Sequence, residues 1–211
     1  MPGTDSRPCR ADDVSGPQGL QHRLRHPYLR PAAKSPAALS KDISMPDLYA
    51  MTVPVFIRAF RNLDHVLAKA EGSGIADDEL VGARLIADML PLSKQVQIAS
   101  DTARFAAVRV GQAAPAAMAD DETTLAQLRE RVAKTIAWLE TVDAAGFAGR
   151  EEAEVVLKMS KGEVTFTGHS YVTDFALPNF FFHVTMAYAL LRMKGVPLGK
   201  MDFLAGGAAI A

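Results

Sequence analysis

An all-α protein, a four-helix bundle with a small β-hairpin before its last helix, is what the sequence predicts, and three observations carry that reading. Four long segments repeat apolar residues at helical spacing. One short segment alternates apolar and polar residues as a strand pair does. The apolar fraction, 49%, is ample for a core. Each helical segment has a greasy face that must be buried against the others. The hairpin is too small to stand alone and must lean on them.

The 211 residues allow one such domain plus a tail. Residues 1–45 hold six of the twelve prolines, few large apolar side chains and no periodicity, which reads as disorder. They carry seven Lys/Arg and four Asp/Glu, whereas residues 46–211 carry sixteen and twenty. The basic tilt of the tail (Arg7, Arg10, Arg23, Arg25, Arg30) fits an organelle address or a nucleic-acid arm. The plainer reading is a leader translated from an upstream start, with Met45 near the real beginning. Asp5, Asp12 and Asp13 argue against a transit peptide, which is poor in acids. The expected organisation is a disordered tail over 1–45, a helical bundle over 46–204 and a flexible C-terminus over 205–211.

The whole chain has a net charge of -1, which gives no electrostatic reason to expect nucleic acid or an anionic membrane as a partner. No apolar secretory core stands near the N-terminus. The single cysteine, Cys9, excludes an intramolecular disulfide. A cytoplasmic protein fits these features.

The first helix is expected from Asp47 to Glu71, with Phe56, Phe60, Leu63 and Leu67 on its apolar side and Gly72-Ser73-Gly74 as its stop. Pro54 kinks its first third or marks its true start. His65 falls on the opposite, polar face and reads as solvated. The second helix is expected to start near Asp77-Asp78-Glu79 and to end before Gly111. Its stripe is Leu85, Met89, Leu92, Val96, Ala99, Ala103 and Ala106, and Pro91 breaks its hydrogen-bond ladder from within. Gln95 lies beside that stripe. Asp88 is two turns earlier and close to the same face, with Arg84 in reach as an ion-pair partner.

Asp120 or Asp121 is expected to cap the third helix, whose core face is Leu125, Leu128, Val132, Ile136, Leu139 and Val142. The hairpin follows, with Val155, Leu157 and Met159 on one strand, Val164 and Phe166 on the other, and Ser160-Lys161-Gly162 as the turn. The last helix, from Thr167 to Gly195, is apolar almost all round and is interrupted by Asp174, Pro178, Asn179 and His183, so it is no clean membrane span. Asn179 and His183 are four residues apart and share a face.

The segment PNFFFHVTMAYALLRMKGVPLG resembles the closing helix of the DinB/YfiT-like superfamily of bacterial helical bundles, where a metal-binding HxxxH precedes a leucine-rich turn. On that pattern the two histidine positions fall on Asn179 and His183. LSKQVQIASD stands where the superfamily has its remaining histidine, which puts Gln95 in that slot and Asp101 near the acidic one. Residues 46–204 also resemble one uncharacterised branch with a MYxxxVPVF start, a QVQIASD segment and a FALPNFxFHVTxAY segment. The resemblance implies helices in up-down-down-up order, a common homodimer, and a cleft where the second and fourth helices face each other. For members with intact ligands it implies a divalent metal used in thiol-transfer or hydrolytic chemistry.

Three readings of the site residues Asp88, Gln95, Asn179 and His183 follow. The first is a metal-dependent transferase or hydrolase holding zinc or nickel through His183, Asn179 and Gln95, with Asp88 as the alternative ligand. Gln95 and Asn179 offer only amide oxygens, weak donors for such ions, and the set lacks the charge that Asp88 would supply. The second is a pocket for a small molecule, with these groups as polar anchors among phenylalanine walls. The third is a non-catalytic dimeric scaffold in which His183 is buried and hydrogen-bonded to Gln95 or Asn179. Three successive aromatics, Phe180 to Phe182, cannot all face one core, so at least one meets a second subunit or the hairpin. No phosphate-cradling glycine loop, no CxxC pair and no cysteine nucleophile occurs in the domain. Nothing in the spacing of Ser100, Asp101 and His183 favours them as a catalytic triad.

Overall fold

In the computed structural model, which describes residues 47–159 and 162–207, Asp47 opens α1 (Leu48–Glu71) by accepting a hydrogen bond from the backbone of Tyr49. The expectations for residues 1–45, for the Ser160-Lys161 turn and for residues 208–211 fall outside the described residues. Phe56 and Phe60 of α1 are fully buried and both rings meet Phe180, with centroids 4.6 and 5.1 Å apart.

The expected second helix is two separate helices. A short α2 (Asp77–Val81) ends at Gly82, residues 83–91 run irregularly, and α3 (Leu92–Arg109) begins afresh. Pro91 therefore precedes α3 as its extended N-cap and does not kink a longer helix. Its missing N–H costs nothing at a helix start. Leu85, assigned by spacing to the apolar stripe, is 53% exposed, whereas Leu92, Val96, Ala99, Ala103 and Ala106 are buried.

The cap of α4 (Leu125–Leu139) is Thr124, not Asp120 or Asp121. Its hydroxyl accepts from the Gln127 backbone while the Gln127 side chain reaches back, a reciprocal capping box. Beyond α4, a 3-10 turn (Ala144–Phe147) lays Phe147 edge-on against Tyr49. Gly111 and Gly146 are required there: a Cβ on Gly111 would stand 2.1 Å from the Phe147 ring, and one on Gly146 would stand 2.1 Å from the Gly111 carbonyl.

The hairpin pairs β1 (Glu154–Met159) with β2 (Gly162–Thr167) in antiparallel register, Val155 opposite Phe166 and Leu157 opposite Val164. Val155 and Leu157 are buried, whereas Met159 is exposed and leaves the inner face. Thr167 then caps a helical turn (Gly168–Ser170), a π-helical segment follows (Tyr171–Ala176), and α5 (Leu177–Met193) completes the last long helix. Phe180 is buried, Phe181 is half-buried and Phe182 is 51% exposed.

Helix directions follow from their ends. The start of α4 meets α2 where the Leu125 N–H donates to Asp77, and the end of α5 meets it where Lys194 pairs with Glu79. The start of α3 folds back on the same region, where the Leu92 N–H donates to the Ala83 carbonyl. The end of α3 lies near the start of α1, through Gly111, Phe147 and Tyr49. Thus α1, α3, α4 and α5 run up, down, down and up.

A last helix, α6 (Lys200–Ala205), has no counterpart in the periodicity reading. Its Asp202 is clasped by His65 at 2.8 Å and by Lys69 at 3.1 Å, both on α1. His65 is therefore a partner in a clasp and not a free surface histidine. The Gly199 backbone N–H, then His65, hold the Asp202 carboxyl down at about 2. Gly206 caps α6 in a left-handed conformation, so helical order runs through Ala205, where a flexible terminus was expected to begin.

Candidate functional site

The seam between α3 and the long helix that runs from the π-helical segment into α5 carries three polar rungs. α3 contributes Gln95, Thr102 and Arg109, spaced seven residues apart, so two helical turns separate successive rungs. The antiparallel partners on the last helix are His183, Asn179 and Tyr171. The Asn179 amide donates to the Thr102 hydroxyl at 2.8 Å, and that hydroxyl donates in turn to the Ile98 carbonyl at 2.7 Å. Arg109 donates to the Tyr171 hydroxyl at 2.8 Å, while burial pushes the phenol upward from its ordinary value.

The His183 rung is the most defined chemically. Nδ1 lies 2.7 Å from Gln95 Oε1, and Gln95 Nε2 donates to the Leu90 carbonyl at 2.9 Å. A carbonyl only accepts, so the amide group must face Leu90 and its oxygen must face the ring. His183 therefore carries its proton on Nδ1, and Nε2 is a bare lone pair. Burial holds the ring below the ordinary histidine value and keeps it neutral. Among the described residues Nε2 has no hydrogen-bond partner. Among the described residues the fully enclosed side-chain atoms without a partner are Gln97 Oε1, Arg104 Nε and Arg131 Nε, and Nε2 is not one of them. The Phe182 ring lies beside the imidazole, nearly perpendicular, with centroids 5.2 Å apart.

The structure brings Gln95 and His183 together and sets Asn179 one turn along the same seam, bonded to Thr102. Asp88 is not brought in. It is exposed in the irregular segment 83–91, because the kinked helix that would have turned it inward does not form. Ser100, Asp101 and His183 make no triad: Ser100 pairs with Thr135 and Asp101 with two arginines.

This donor set does not suit zinc or nickel. One imidazole nitrogen is open, the Gln95 oxygen is taken by the His183 ring, the Asn179 amide donates to Thr102 one turn away, and no hydrogen bond among the described residues brings a carboxylate to either His183 or Asn179. Among the described residues no group of three or more His, Cys, Asp and Glu is placed to hold an ion.

A second polar seam was not anticipated. Residues 110–124 return along the groove between the parallel helices α3 and α4 as a strap without regular structure. Arg104 donates to the Ala116 carbonyl, and Arg131 donates to the Ala119 carbonyl and to Glu122. Asp101 accepts from both arginines, at 2.8 and 3.0 Å. Gln97 donates to Glu122 at 2.7 Å. Both arginines are almost fully buried. Charged residues on helices read as solvated in a sequence, and only the long unstructured return past α3 hinted that something must satisfy its backbone.

Comparison with known proteins gives a family and a solved relative. The family described as a domain of unknown function, DUF1993, matches residues 48–204. The crystal structure of a DinB family member protein from Shewanella denitrificans is 37% identical, aligns over 78% of this chain and 95% of that one, and superposes with a TM-score of 0.68. No curated protein matches the chain.

Proposed function

Because the chain belongs to the DUF1993 family of DinB-like bundles, whose description assigns no function, we propose a role from the site alone: a ligand-binding bundle in which the Nε2 lone pair of His183 anchors a small organic molecule. The observation that carries this is the fixed tautomer. Leu90 orients Gln95, Gln95 holds the Nδ1 proton, and a bare acceptor is left on a nearly buried ring. Such an acceptor takes a hydroxyl or N–H donor from a ligand whose apolar part lies on Phe182. A neutral ring keeps that acceptor available at neutral pH. The homodimer and the cytoplasmic location belong to this proposal. Phe182, half exposed beside the anchor, supports the first, and the absence of a helix long and apolar enough to cross a membrane among the described residues accords with the second.

The test is a melting-temperature screen of hydroxyl- and amide-bearing metabolites against the wild type and His183→Ala, with nitrogen-15 NMR of the His183 ring. The expected result is a set of compounds that raise the wild-type melting temperature, shift Nε2 and leave the variant unmoved. Equal stabilisation of both proteins overturns the anchor. Melting that drops in His183→Ala with no compound acting on the wild type assigns the ring to packing alone. Stoichiometric zinc or nickel after purification without chelator overturns the proposal in favour of a metal centre.

A further inference from the structure

Met118 sits at the middle of the strap, between the two residues whose carbonyls Arg104 and Arg131 hold. Its sulfur lies 3.9 Å from Ser100 Oγ on α3 and 3.7 Å from Thr135 Oγ1 on α4. Those hydroxyls are fully buried and lie 2.7 Å from each other, and Thr135 also donates to the Arg131 carbonyl at 2.8 Å. With one proton per hydroxyl, Thr135 is committed to that carbonyl and Ser100 to Thr135. The thioether, a weak acceptor, is an apolar plug over a polar pair. Met118 also lines a partly open cavity of about 390 Å3 between the strap and α4.

We propose that Met118 is a redox-sensitive latch, a modification site whose oxidation by peroxide releases the strap from the α3–α4 groove. The sulfur lone pair attacks one peroxide oxygen, the O–O bond breaks, an S–O bond forms, and the remaining oxygen leaves as water. Sulfur is oxidised by two electrons to the sulfoxide and the peroxide is reduced. The new oxygen is a strong acceptor within reach of Ser100 and Thr135. It competes for the proton Ser100 gives Thr135 and puts a polar group where the plug was apolar. The strap then has its two arginine-held carbonyls without the pin between them. Reduction of the sulfoxide restores the thioether, so the latch is reversible.

The full chain is treated with graded hydrogen peroxide, mapped by peptide mass spectrometry, and examined by hydrogen exchange over residues 113–123. Exposed Met159, Met193 and Met201 are internal controls for general oxidation. Met118→Leu keeps the plug at similar volume and removes the sulfur. Oxidation of Met118 is expected to speed exchange of the strap by roughly tenfold. The controls oxidise in Met118→Leu without that change, and the two epimer-specific methionine sulfoxide reductases reverse it. The proposal is overturned if Met118 stays reduced while the three exposed methionines oxidise. It is equally overturned if strap exchange does not change once Met118 is oxidised, or if Met118→Leu responds as the wild type does.

Discussion

α3 meets α5 directly and meets α4 through a strap, and the two seams handle buried polar groups differently. Against antiparallel α5 and the π-helical segment before it, neutral side chains bond across the interface in three rungs, and of these rung residues only Arg109 at the end carries charge. Against parallel α4, charged groups dominate: Asp101 and Glu122 face Arg104 and Arg131 beneath the strap. The difference follows from topology. Antiparallel neighbours need no chain between them, so a few rungs fix register. Parallel neighbours need a return crossover, and its groove-facing carbonyls take donors that helix backbones cannot lend. A guanidinium supplies several in a planar fork, and carboxylates are then required to neutralise it.

The sharpest break in this comparison is Arg131→Met. It leaves the nearly buried Glu122 with only the neutral Gln97 amide, takes one of two arginines from Asp101 and removes the donor to the Ala119 carbonyl, and the expected loss is about 3–5 kcal/mol in denaturant unfolding. Hydrogen exchange should quicken in residues 113–123 and stay unchanged around Gln95. His183→Ala works on the other seam, leaving Gln95 Oε1 without its donor at a cost of about 1–3 kcal/mol, and the strap keeps its protection. The pH dependence separates it further. A histidine held below its unfolded value binds fewer protons folded than unfolded, so wild-type stability declines as pH falls below the ordinary histidine value and levels off beneath the folded one. His183→Ala lacks that decline, which the wild-type minus variant difference curve therefore isolates. The smallest effect belongs to Asn179→Ala, about 0.5–1.5 kcal/mol, since Thr102 still donates to Ile98 after losing the amide. A cost as large as that of Arg131→Met would erase the distinction between the seams.

Long amphipathic segments were legible because their stripes point at one core: Phe56, Phe60 and Leu128 all sit where helical spacing puts them. The second helix misled because Leu85 and Met89 continue the stripe of Leu92 and Val96 by coincidence of spacing. The Gly82 stop and the Pro91 start outweigh that pattern. The Thr124 cap was readable in principle, as threonine followed three residues later by glutamine, yet the adjacent aspartates drew the assignment. Gln95 and His183 were legible as neighbours through the family resemblance, whereas the tautomer depends on Leu90, whose carbonyl no side-chain pattern reveals. The buried arginines were illegible for a plainer reason: a charge on an amphipathic helix is read as solvent-facing until a loop is laid over it.

The strap also sets a limit on chain length. Its fifteen residues from 110 to 124 must cover the ground that the eighteen residues of α3 climbed, roughly 27 Å, and fully extended they reach at most about 50 Å. Much of that slack is spent dipping into the groove to reach Ser100 and Thr135. Trimming this stretch therefore lifts it clear of the groove well before it becomes too short to close, and the first thing lost is the roof over the two arginines, not the bundle.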